Sequence, residues 1–208
     1  MTDLDFDCAC GAVKWSLLSP GPRNSIRYVC HCDDCQAFAW YLGRAGEILD
    51  ANGGTDVVQS PASRLRVREG LRHLACVHLT RRPTLRWYCG LCRSPVAATL
   101  DTSRRSFLSV PLTCCAPAKA DQLLGPCAGH VWTRFGAGDL SRVKRVNIPA
   151  MAFRMGWRMT TARLSGDYRN NPLFDRRTGA PVASARRLSR DERATLDAEV
   201  RRSRGSCA

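Results

Sequence analysis

Seven of the twelve cysteines in this 208-residue chain stand in three tight clusters: Cys8 with Cys10, Cys30 with Cys32 and Cys35, and Cys89 with Cys92. No other feature constrains the fold as much, because thiols that close on one ion tie together segments far apart in the chain. The acidic start, MTDLDFD, has neither the basic nor the apolar region of a secretory leader, and no run of about eighteen apolar residues is present to span a bilayer. A cytoplasmic protein without a membrane partner is therefore expected. A reducing compartment does not sustain a disulfide framework, so clustered thiols there point to metal. Cys76, Cys127 and Cys207 are isolated and Cys114 and Cys115 adjacent; isolated thiols usually serve as small buried hydrophobes.

The first and last clusters read as two halves of one site. In CAC, residues 8 to 10, an extended backbone sends Cys8 and Cys10 to the same side, since side chains alternate with period two. In CGLC, residues 89 to 92, Gly90 relaxes a turn so that Cys89 and Cys92 converge. The four thiolates make a closed tetrahedral zinc site. Its role is architectural: it joins the N-terminus to a strand about eighty residues later, and structural zinc supplies folding free energy outright.

The middle cluster, CHCDDC at 30 to 35, brings three thiolates together with no fourth partner beside them. Three protein ligands and an open position is how catalytic zinc is held, so Cys30, Cys32 and Cys35 are the catalytic candidates, as ligands of an open second zinc. His31 alternates away from Cys30 and Cys32 and is expected beside the metal rather than on it. Asp33 and Asp34 read as helix caps, because carboxylates compete poorly with thiolates for zinc. The alternative is a second closed site whose fourth ligand is Cys76, His78, Cys114 or Cys115. A redox role has less support, since CxCxxC here lacks a βαβ context.

Between and after the clusters, β-branched and aromatic runs separated by turn signals predict short strands around Trp15 and at 56–59, 64–69, 72–80, 84–89 and 94–100. The pattern is that of a mainly β, antiparallel domain. One helix interrupts it, from Asp33 or Asp34 to Gly43, which places Cys35 near a helix N-terminus, where amides and the helix dipole favour a thiolate. Beyond residue 148 the texture becomes helical: Met151, Met155, Met159 and Ala162 line a stripe, Phe153, Trp157 and Leu164 widen it, and Gly166 ends it. This helix is expected to dock on the β domain. Residues 166–187 form a loop-rich arm pinned by Tyr168, Leu173 and Phe174. Ser189 and Glu192 make a capping box for a final helix whose last residues fray. The division expected is a β domain over 1–147 and a helical, loop-rich extension over 148–208 packed on it.

The net charge of +14 is uneven, for residues 141–208 hold 16 Lys and Arg against 6 Asp and Glu, or +10. Such a segment fits a second class of function, a zinc-stabilised module that binds nucleic acid or an acidic partner, and it equally fits a plain solvated face. The oligomeric state cannot be read from these features.

CxCGAV at 8–13, CHCDDCQA at 30–37 and CGLCRSPV at 89–96 together resemble the three cysteine motifs of the glutathione-dependent formaldehyde-activating enzyme and centromere protein V superfamily, over about residues 6–112. The resemblance implies a zinc-binding β-tent fold of small antiparallel sheets, here with a C-terminal α-helical extension. It implies a structural zinc on Cys8, Cys10, Cys89 and Cys92 and a second zinc on Cys30, Cys32 and Cys35 near a substrate pocket. For the enzyme members it implies carbon-sulfur lyase chemistry on an adduct of an aldehyde with glutathione or another small thiol. The chain departs from the family pattern at QAFAWYLG, where basic residues and glycine are usual, and at RSPV. With its NPLFD arm it looks like a branch of the superfamily without an assigned substrate.

Overall fold

Period-two alternation sorts each strand into a face that is buried and a face that is less so. The computed structural model describes residues 2–205. In chain order the elements are β1 (Leu4–Asp7), β2 (Lys14–Leu17), β3 (Ile26–Cys30), α1 (Asp33–Tyr41), α2 (Ala45–Ile48), β4 (Thr55–Ser60), β5 (Leu65–Glu69), β6 (Leu74–His78), β7 (Thr84–Cys89), β8 (Pro95–Leu100), β9 (Leu108–Pro111), α3 (Pro117–Leu124), β10 (His130–Val131), α4 (Ile148–Leu164), β11 (Ala185–Arg187) and α5 (Arg190–Gly205). Cys207 and the expected fraying of the last residues lie outside the described residues.

The strands form a small sheet ordered β1-β2-β5 and an eight-stranded sheet ordered β10-β3-β4-β9-β8-β7-β6-β11. Every pair among residues 4–111 is antiparallel, as the sequence predicts. Strands β1, β3 and β9 are additions to that reading, as are the two edge strands of the large sheet: β10 pairs with β3, and β11 with β6, in parallel. The architecture is mainly β with a C-terminal helical extension.

The main core lies between the two sheets. Leu4, Phe6, Trp15, Leu17, Leu85, Trp87 and Leu108 are fully buried there, and the Phe6 and Trp15 rings stack at 5.4 Å. Gly70 makes the tight turn into β6 possible: its φ is +77°, and a Cβ would sit 1.9 Å from the Ala12 carbonyl oxygen. A second apolar cluster, including Phe38, Leu42, Ile48, Val77, Leu188 and Val200, fills the opposite face of the large sheet beneath α1 and α5. Strand β7 separates the layers. Leu85, Trp87 and Cys89 are buried, and Arg86 and Tyr88 alternate with them towards the helices.

The arm behaves as read: Leu173 and Phe174 are buried, and Phe174 meets Trp87 edge-on at 6.0 Å. The capping box of α5 is formed, with the Glu192 amide donating to Ser189 Oγ and the Ser189 amide to Glu192 Oε2. Helix α4 begins at Asn147, whose side chain accepts from the Ala150 amide, and Gly166 follows its end at φ +78°. It docks through Met151, Met155, Met159 and Ala162, but Phe153, Trp157 and Leu164 do not widen that stripe; they are 75%, 64% and 83% exposed. The apolar residues of α4 form two opposite stripes, and the β domain covers one.

Candidate metal centres

Cys8, Cys10, Cys89 and Cys92 converge, with all four sulfurs within 4.8 Å of one another. Cys8 Sγ lies 3.5 Å from Cys10 Sγ, and Cys10 Sγ lies 3.9 Å from Cys89 Sγ. Sulfurs around a tetrahedral zinc stand about 3.8 Å apart, given Zn–S of about 2.3 Å. The donor set therefore fits a thiophilic ion without rearrangement.

The local route differs from the extended CAC expected. Cys8–Gly11 is a turn closed by the Gly11 amide donating to the Cys8 carbonyl at 2.8 Å, with Gly11 at φ +71°. In CGLC the left-handed residue is Arg93 rather than Gly90, and the Arg93 amide donates back to the Cys89 carbonyl. Gly90 serves close approach instead, since its amide donates to the His73 carbonyl, whose oxygen would lie 3.2 Å from a Cβ there. Ser94 links the halves: its hydroxyl accepts from the Ala9 amide at 3.0 Å and lies in hydrogen-bond contact with the Cys92 sulfur at 3.3 Å. Burial pushes the Cys89 thiol up to about 12. Burial also acts on Cys92, but hydrogen bonds from Ser94 and the Cys10 backbone outweigh it and bring that thiol down to about 6.

Cys30, Cys32 and Cys35 form the second group, again with sulfurs within 4.8 Å. Cys30 ends β3, Cys32 is the extended N-cap of α1, and Cys35 lies in the first turn, its amide donating to the Cys32 carbonyl at 3.0 Å. The Cys35 and Cys30 sulfurs are 3.6 Å apart. Hydrogen bonds from Cys30 and Cys32 hold the Cys35 thiol well below its usual range despite burial, and the Arg86 charge adds to this. Hydrogen bonding with Cys32 and then Cys35, together with burial, holds the Cys30 thiol well above its usual range.

Arg86 was not singled out by sequence reasoning. Its guanidinium reaches across from β7, donates to Cys35 Sγ at 3.5 Å and lies over the Phe38 ring at 5.5 Å. Burial alone would lower its pKa, but the charges on Cys35 and then Cys32 raise it. Cys35, Phe38, Thr55, Arg86, Ala97 and Ser109 are among the residues lining a cavity of about 20 Å³, room for about one water molecule. The Thr55 hydroxyl is buried there and has no hydrogen-bond partner among the described residues.

Among the described residues no fourth Cys, His, Asp or Glu joins the trio. Cys76 donates to the Ala183 carbonyl, Cys114 to that of Pro95 and Cys115 to that of Leu112. His78 is buried in β6, its pKa lowered by burial and then by the Arg187 charge. His31 is fully buried and turned away from the sulfurs, its Nε2 2.9 Å from His130 Nδ1. Trp40 and Tyr41 pack on the apolar cluster under α1 and α5, and Tyr41 meets the Tyr88 hydroxyl at 3.1 Å. Arg93 donates to the Tyr41 carbonyl.

Asp33 and Asp34 are not caps. The N-cap Cys32 makes no side-chain cap bond, and the two carboxylates pair instead with the C-terminal helix. Arg204 bonds Asp33 at 2.6 Å, and Arg193 bonds Asp34 at 2.6 Å. Gln36 accepts from Arg204 Nε and donates to the His31 carbonyl. Helix α5 is thus clamped onto the helix that carries Cys35.

A family model described as a family of unknown function, DUF6151, matches residues 2–186. The chain belongs to that family. No curated protein matches it. The crystal structure of a Rhodobacter sphaeroides protein is similar to part of it, at 19% identity and a TM-score of 0.37, covering 58% of this chain and 98% of that one. The match to the family spans both cysteine groups, Arg86 and the arm, and stops just before α5. Among the described residues, no helix is long and apolar enough to cross a membrane.

Proposed function

We propose that the protein binds two zinc ions and is a carbon-sulfur lyase acting on the adduct of an aldehyde with a small thiol such as glutathione, as a member of the glutathione-dependent formaldehyde-activating and centromere protein V superfamily. One observation carries the reading: three thiols converge beside a cavity and a guanidinium, with no fourth protein donor among the described residues. Soft thiolate sets select zinc over magnesium, calcium or manganese. Zinc held by Cys30, Cys32 and Cys35 would supply a Lewis acid with one position free for a carbonyl oxygen or an external thiolate.

The chain's own groups fit that task. Arg86 offsets the negative charge of the thiolate set and has N–H groups left to orient an oxygen or a thiolate that enters the cavity. The Thr55 hydroxyl is available as a further donor. A space of about 20 Å³ takes only the reacting end of a short aldehyde, so the bulk of the thiol would stay outside. Cys8, Cys10, Cys89 and Cys92 would hold the structural zinc and touch no substrate.

Binding of nucleic acid or an acidic partner through β11 and α5 at the C-terminal end of the basic segment has less support, because Arg186, Arg193, Arg202 and Arg204 already pair with acidic groups of the chain. The test compares Cys35→Ser with Cys89→Ser in metal count, thermal unfolding and turnover of hydroxymethyl-thiol adducts. Cys35→Ser is expected to lose one zinc and turnover while keeping the fold; Cys89→Ser is expected to unfold. Two zincs retained in Cys35→Ser, or equal unfolding by both, would sink the reading.

A further inference from the structure

Helix α4 is apolar on two opposite sides. One side, Met151, Met155, Met159 and Ala162, faces the β domain, and Met155 Sδ accepts from Gln59 Nε2 at 2.9 Å. On the other, Phe153, Trp157 and Leu164 are 75%, 64% and 83% exposed. At 100° per residue those three fall within about 40° of one another. Three large exposed side chains aligned on one face differ from singly scattered apolar residues, which need no explanation.

Cations flank the ridge. Arg154 and Arg163 are exposed on its two sides. Arg158 lies beside them and donates to the Arg23 carbonyl. Burial, followed by the charges of Arg154 and Arg64, lowers the pKa of Arg158, and among the described residues no ion pair neutralises Arg154, Arg158 or Arg163. The ridge is convex, and the cavity beneath it, lined by Gln59, Pro61, Phe107, Met155 and Arg158 among others, is only about 10 Å³. It offers no pocket for the anchors of a protein partner. A second copy would set the same arginines against each other in a chain of net charge +14.

We propose that α4 is a peripheral docking surface for an anionic phospholipid bilayer. The helix lies flat, Phe153, Trp157 and Leu164 enter the boundary between headgroups and acyl chains, and Arg154 and Arg163 meet the lipid phosphates. A large apolar ridge with arginines at its margins is what an interfacial helix requires, and no membrane span is needed. The inference is independent of the lyase reading and revises the sequence expectation of no membrane partner.

The full-length, metal-loaded protein is centrifuged with vesicles of phosphatidylcholine alone and with about 30% phosphatidylglycerol. The expected result is co-sedimentation only with the anionic vesicles. Binding should fall at least about tenfold in Phe153→Ser/Trp157→Ser. In Arg154→Gln/Arg163→Gln it should weaken and lose most of its salt dependence. All four positions are exposed, and circular dichroism checks that the variants fold. Three results would overturn the proposal: no vesicle binding by the wild type, binding unchanged in the aromatic variant, or a concentration-dependent dimer that the aromatic variant dissolves. Capture of an acidic polypeptide in place of vesicles would do the same.

Discussion

Replacing Arg86 by Gln removes a buried positive charge from beside Cys35 while keeping most of the side chain's volume. Three thiolates and a divalent ion sum to one negative charge, so the guanidinium remains attracted to the group after metal enters. At 3.5 Å from Cys35 Sγ, a unit pair in an effective dielectric of about 20 interacts by about 4.7 kcal/mol. That is an upper bound of about three decades in affinity, at 1.4 kcal/mol per decade. The cost of keeping Arg86 out of water offsets part of it, and partners that support metal ligands typically contribute about 10- to 100-fold. Arg86→Gln should therefore weaken zinc at the three-cysteine site about a hundredfold. Titration of the zinc-loaded protein with a competing chelator reads this directly: on the proposed two-site reading, wild type and variant should share the tighter step, and the weaker step should move in the variant. Arg86→Lys, which keeps the charge, should recover most of the loss. If both steps stay where they are in the wild type, or if the four-cysteine step moves equally, the electrostatic reasoning is refuted.

Gly70→Ala must fit a Cβ against the Ala12 carbonyl at positive φ, and should cost about 2 kcal/mol or more, measured as a shift in urea midpoint; an unchanged midpoint would contradict the turn geometry. Arg193→Ala removes the 2.6 Å partner of a largely buried Asp34, which retains only the exposed Arg82. A loss of about 2–3 kcal/mol and faster proteolysis within 190–205 are expected, and equal proteolysis rates would show that α5 is held by its apolar contacts alone. His78 has a folded pKa below its unfolded value because burial and Arg187 disfavour the cation. The unfolded chain then binds more protons, so the stability linked to His78 is complete above about pH 6.5 and is lost as pH falls towards the folded pKa. His78→Gln should flatten that part of the urea midpoint profile relative to wild type between about pH 7.5 and 5.5; parallel profiles would count against it.

The cysteine groups were legible because ligand geometry leaves a trace in spacing, whatever the backbone does between the ligands. The backbone route was not: Cys8 and Cys10 converge through a turn rather than an extended segment, and Arg93 instead of Gly90 takes positive φ. Strands β2 and β4 to β8 carried β-branched and aromatic runs. Strands β10 and β11 are too short, at two and three residues, to impose a period. Helix α4 was expected from about residue 148 and runs over Ile148–Leu164, but its Asn147 cap went unread and its docked face was overestimated, since periodicity marks an apolar side without saying what covers it. Asp33 and Asp34 were mistaken for caps because their partners, Arg204 and Arg193, lie about 160–170 residues away. Arg86 had no local signature, being one arginine among many until the fold set it beside Cys35.

Strand β7 carries Cys89 towards one centre and Arg86 towards the other, three positions apart in a chain segment where side chains alternate. A slip of one residue would exchange the two faces and misdirect both groups at once. Closure of the four-cysteine site fixes that register, so it also aims the guanidinium on which the three-cysteine site depends. On the proposed two-zinc reading, the centres would be ordered in assembly: the first ion to enter would go to the four thiols, and a chain short of zinc would lose the proposed chemistry before it lost its shape.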